Sequence, residues 1–107
     1  MTALVWCPFP DHATACQVTD TLLQERLIAC ANLLDAVHSR FIWNGECGQA
    51  DECAALFKTD ASLLDTAVRR IAQLHPYETP AVMGWRCDAA APDTRQWIET
   101  ATRPVGA

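Results

Sequence analysis

The dipeptide Asn44-Gly45 stands between two stretches whose side chains alternate in character, and few folds accommodate that arrangement. Asn-Gly suits a two-residue turn in which both central residues need positive φ, the turn whose twist matches a β-hairpin. From about Ala29 to Trp43 the period is two: Val37, Phe41 and Trp43 point one way while His38 and Arg40 point the other. Gly48 adds a second turn signal, and a further alternating run follows from about Asp51 to Thr59, with Cys53, Ala55 and Phe57 sharing a face. Together these runs predict a long antiparallel hairpin in the middle of the chain.

The flanks complete the pattern. Leu4 to Cys7 reads as a short buried strand ended by Pro8 and Pro10. Asp11 is placed to cap a helix whose apolar stripe is Ala15, Val18, Leu22, Leu23 and Leu27. After the hairpin, Asp60 or Ser62 begins a second helix with the stripe Leu64, Ala67, Val68, Ile71 and Leu74. That helix must stop near His75, because Pro76 disfavours helical geometry in the residue before it. Ala81 to Cys87 reads as another strand, and Pro92 opens a terminal helix carrying Trp97 and Ile98. Residues 103–107 are expected to be a loose tail.

The order β-α-β-β-α-β plus a C-terminal helix predicts an α+β, ferredoxin-like split βαβ sandwich, a single domain over residues 1–107. In that arrangement both helices cover one face of the sheet. The strands nevertheless carry apolar side chains on both faces: Leu4 and Trp6 against Val5 and Cys7, Ala54 and Leu56 against Ala55 and Phe57. A sheet with two apolar faces needs a second cover, which predicts a homo-oligomer that buries the helix-free face.

Composition narrows the function. A formal charge of −5, with Arg69-Arg70 the only adjacent basic pair, argues against a nucleic-acid partner. The N-terminus has no signal-peptide pattern and no apolar run is long enough to span a bilayer, so the expected address is the cytoplasm. Six cysteines with no Cys-x-x-Cys pair then read as reduced thiols, not as a disulfide framework or a zinc knuckle. The four glycines form neither a P-loop nor a dinucleotide fingerprint, and neither serine sits in a nucleophile elbow. No self-contained enzyme motif can be assembled.

The segment His75-Pro76-Tyr77-Glu78-Thr79-Pro80 is the candidate binding element. Its prolines lower the loop's conformational entropy and hold imidazole, phenol and carboxylate in fixed directions. The plainer reading is a helix C-terminus with His75 as a cap. Cys7 ends the first strand; with His75 it would suit copper or zinc better than magnesium, given a third ligand. Packing is the alternative for Cys7, as it is for Cys30. Glu52 and Lys58 lie on one side of a strand, as an edge salt bridge or as cleft groups, and Trp43 reads as an intersubunit anchor or a stacking platform.

Cys7-Pro8, Asp11-x-Ala13-x-Ala15, Glu25 to Asn32, Ser39-x-Phe41-x-Trp43-x-Gly45, Glu52 leading to Lys58-Thr59, His75 to Pro80 and Trp97-Ile98 occur in an order that resembles the CutA divalent-cation tolerance family. The resemblance implies a ferredoxin-like protomer in a homotrimer with clefts between subunits, tolerance of copper and other divalent metals, and no enzymatic activity. It implies Cys7 and His75 as copper ligands and Trp43, Glu52, Lys58 and Tyr77 at the cleft and interface; Glu78 is the candidate third ligand and Cys30 a further candidate at the intersubunit cleft. Leu74 stands where some members carry a second histidine, and Phe41 and Thr94 replace tyrosines. A PII-like trimeric small-molecule or signalling module is the alternative, and a thiolate enzyme using Cys7 or Cys30 a third reading.

Overall fold

The structure, a computed structural model, describes residues 1–105; of the expected loose tail, residues 106–107 lie outside it. The chain forms β1 (Thr2–Phe9), α1 (His12–Gln24), β2 (Cys30–Trp43), β3 (Glu46–Asp60), α2 (Leu64–Leu74), β4 (Met83–Arg86) and α3 (Pro92–Ala101). A 3-10 turn at Ala61–Leu63 leads into α2. The four strands make one antiparallel sheet in the order β2-β3-β1-β4.

Local chemistry sets the helix ends. Asp11 accepts from the Thr14 amide at 2.8 Å, closing the start of α1. The helix ends earlier than its apolar stripe, at Gln24, because Arg26 adopts φ 58°. Arg26 N–H then donates to the Leu23 carbonyl and Leu27 N–H to Leu22, a Schellman arrangement that turns Leu27 back onto the core. Asp60 caps the next turn by accepting from the Ser62 amide and hydroxyl. At the end of α2 the backbone of His75 is extended, with φ −74° and ψ 138°, the conformation demanded of a residue before proline. Pro92 occupies the first turn of α3.

The hairpin runs further than the expected start at Asp51. Asn44 (φ 52°) and Gly45 (φ 79°) form the turn, and pairing begins at once with Trp43↔Glu46. Gly48 is therefore no second turn. It pairs with Phe41, and a Cβ there would come within 2.5 Å of the Phe41 ring, so the missing side chain makes room for the aromatic. β1 pairs with β3 only from Cys53 to Asp60. The remainder of the hairpin is a two-stranded arm projecting about 20 Å past the other strands.

The sheet packs its odd-numbered β1 and β3 side chains against the helices. Ala3, Val5, Cys7, Phe9, Ala55 and Phe57 are fully buried with Leu22 and Ile71, and Phe9 meets Phe57 edge to face at 6.3 Å. An Arg70–Glu25 pair with contacts of 2.7 and 2.8 Å ties α2 to the end of α1. The opposite face carries Leu4, Trp6, Leu34, Leu56, Met83 and Trp85, placed side by side by strand register. Met83 is 62% and Trp85 49% exposed.

Candidate functional site

A cleft of about 680 Å³ opens where the loop after α2 faces the base of the hairpin arm. Pro8, Phe41, Trp43, Glu52, Tyr77 and Glu78 are among the residues that line it. Register explains the meeting of distant positions. Glu52 pairs with Val37, so it shares the face opposite α1 and α2 with Phe41 and Trp43, which lie four and six residues beyond Val37 on β2. The turn after His75 then carries Tyr77 to this face, where its hydroxyl donates to Glu52 Oε2 at 2.8 Å. Partial burial and the adjacent carboxylate push the Tyr77 phenol up to about 12. It stays protonated and acts as a donor.

His75 anchors this loop. Its Nδ1 accepts from the Tyr77 amide at 3.1 Å, which assigns the ring proton to Nε2, and Nε2 donates to the Pro8 carbonyl at 2.8 Å. The ring stacks on Phe9 with centroids 4.6 Å apart and is buried. Pro8 lies beyond the last β1–β4 pair, Trp6↔Met83, so the imidazole serves a carbonyl that the sheet leaves unpaired on that side. Both ring nitrogens thus have partners within the chain.

The other expected site residues divide between cleft, core and sheet. Cys7 is fully buried on the helix-facing side of β1, and its thiol lies 3.5 Å from the same Pro8 carbonyl. Desolvation, with Glu52 as a lesser cause, pushes it up to about 12. Glu78 is exposed on the cleft rim. Trp43, Glu52, Tyr77 and Glu78 therefore gather at one cleft, with His75 and Cys7 behind it. Cys30 and Lys58 are cross-strand partners at the far end of the β3 ladder, away from that group. All six cysteines are free thiols.

A second group has no counterpart in the sequence-based site. His12, Asp35 and Cys53 each present a ligand atom within 4.8 Å of the others, the one such three-residue group among the described residues. His12 Nδ1 lies 3.0 Å from Asp35 Oδ1 and 3.9 Å from Cys53 Sγ. His12 and Cys16, four apart on α1, were a readable spacing. The position of Asp35 was not, because it depends on a bulge between Leu34 and Val37 where Ala36 takes φ 59°.

Comparison with known proteins places this geometry in context. The family model for the CutA1 divalent ion tolerance protein matches residues 3–101. The chain is 39% identical over 101 residues to a divalent-cation tolerance protein CutA of Pyrococcus horikoshii, covering 94% of this chain and 97% of that one. The crystal structure of divalent ion tolerance protein CutA1 from Ehrlichia chaffeensis superimposes with a TM-score of 0.91 at 31% identity, covering 96% of both chains. A CutA from Archaeoglobus fulgidus, described as periplasmic, gives the same TM-score at 23% identity over 96% of this chain and 100% of that one, a likeness of fold.

Proposed function

Because this chain belongs to the CutA1 divalent ion tolerance family, we propose that it is a non-enzymatic homotrimer that takes part in the response to metal ions and binds copper, or another divalent ion such as zinc, in or near a cleft between subunits. We read the β2-β3-β1-β4 order with its helices as the split βαβ ferredoxin-like topology. The address that goes with this reading is the cytoplasm; no helix among the described residues is long and apolar enough to cross a membrane.

One observation carries the proposal: the exposed apolar sheet face runs continuously into a cleft that holds two carboxylates and a phenol. Leu34, Met83 and Trp85 leave an apolar surface that a lone chain in water would not favour. Subunits packed on that face would bury it and close the cleft rim, bringing Glu52, Tyr77 and Glu78 beside a neighbour. Light scattering at micromolar concentration should return three times the 11.8 kDa chain mass. A monomeric mass would remove the trimer.

Cys7, His75 and Glu78 are the proposed copper ligands, and the geometry says what ligation would involve. His75 would have to exchange its Pro8 or Tyr77 hydrogen bond for the metal, and Cys7 would have to lose its proton. Copper binding would then loosen the loop that walls the cleft. Titration of copper and zinc into the wild type, His75→Ala and Cys7→Ala tests this; equal affinities remove those ligands. The size of the cleft and its aromatic lining favour a second reading, a PII-like module for an organic ligand. A metabolite that raises the melting temperature in the presence of a chelator would support that reading instead.

A further inference from the structure

The cluster at the start of α1 is not a catalytic relay. In a nucleophilic triad the carboxylate holds one imidazole nitrogen and the nucleophile addresses the other. Here Asp35 Oδ1 and Cys53 Sγ both lie on the Nδ1 side of His12, at 3.0 and 3.9 Å. One nitrogen, one oxygen and one sulfur converging on a common point is instead the arrangement around a small cation.

The dimensions agree. Zinc bond lengths of about 2.0–2.3 Å at tetrahedral angles require an N···O separation of about 3.4 Å and an N···S separation of about 3.6 Å. Both observed separations differ from these by less than half an ångström, within the reach of a small rotation of the exposed His12 ring. The charges agree as well. Asp35 and Asp11 put carboxylates at a helix N-terminus whose dipole would otherwise repel a cation. Cys16, four residues after His12 on α1, is not one of the three residues whose ligand atoms lie within 4.8 Å of one another, which leaves the remaining coordination position to water.

The backbone explains how Asp35 reaches this group. Ala36 is held at φ 59°, a left-handed conformation that a side-chain-bearing residue rarely adopts. That bulge turns Asp35 out of the ladder and towards α1, where its carboxylate reaches His12. The strain accompanies a carboxylate aimed at an imidazole and a buried thiol.

We propose that His12, Asp35 and Cys53, completed by water, form a second metal site within one protomer, selective for a thiophilic divalent cation of the zinc class. On binding, the Cys53 proton passes to solvent and the thiolate sulfur donates to the ion. The site is separate from the intersubunit cleft and requires no second subunit.

Cobalt(II) reports thiolate ligation directly through its near-ultraviolet charge-transfer absorption. With the full chain kept reduced, the wild type should develop that band at one equivalent of cobalt and lose it on adding zinc. Cys53→Ser should abolish the band, and His12→Ala and Asp35→Asn should each weaken binding at least tenfold. Cys7→Ala should keep it, which separates this site from the cleft. Should Cys53→Ser fail to fold by circular dichroism, His12→Ala decides, because that side chain is 58% exposed and is not part of the core cluster. Absence of the band in the folded wild type overturns the proposal. So does a band that forms in His12→Ala with wild-type affinity for cobalt, or one lost only in Cys7→Ala.

Discussion

His75 and Cys7 show how a residue's type and its surroundings can point in different directions. Both are good metal ligands by chemistry, yet one has two hydrogen-bond partners and the other lies in the core. Their surroundings yield a pH prediction. The Cys7 thiol is raised from 9.0 to about 12 by burial, so the folded chain keeps a proton that the unfolded chain releases above pH 9. Its stabilisation is complete below pH 9 and declines as pH rises towards 12, by up to about 4 kcal/mol. Denaturant melts at pH 8 and pH 11 should therefore differ strongly in the wild type and less in Cys7→Ala. Tyr77 shifts in the same direction, and Tyr77→Phe, which removes the bond to Glu52, should cost roughly 1 kcal/mol at neutral pH. The end of α2 at His75 was legible in the sequence because Pro76 follows it. The His75 tautomer was not, since it depends on a Pro8 carbonyl 67 residues away.

Among the elements, strand and helix identities followed from periodicity and turn chemistry, while their ends did not. Gly48 looked like a turn residue when the chain was read alone; opposite Phe41 it is a site of close approach. Leu27 continued the stripe of α1, but the left-handed Arg26 removes it from the helix. Both cases turn on a contact or a dihedral that a linear pattern does not encode. The bulge offers a test at this scale. Ala36→Gly should raise stability by about 0.5–1 kcal/mol, because glycine accepts φ 59° without a Cβ clash. Gly84→Ala should do the opposite, by about 1–3 kcal/mol, since its Cβ would meet the Leu4 carbonyl at 2.8 Å and Leu64 at 2.7 Å. Urea denaturation of each variant measures both changes.

The molecule as a whole is an arm attached to a half-covered sheet. α1 and α2 satisfy one face, and the other presents tryptophan, methionine and leucine to solvent beside the cleft. Apolar residues on both strand faces made this readable without coordinates. The number of subunits was not readable that way, and the trimer rests on the family. Native mass spectrometry with added copper(II) tests trimer and metal together, in a Cys53→Ser background that silences the site at α1. The expected species is an ion of three chains that retains copper, with the metal lost in His75→Ala. A single chain, or a trimer that binds copper equally in wild type and His75→Ala, would contradict it.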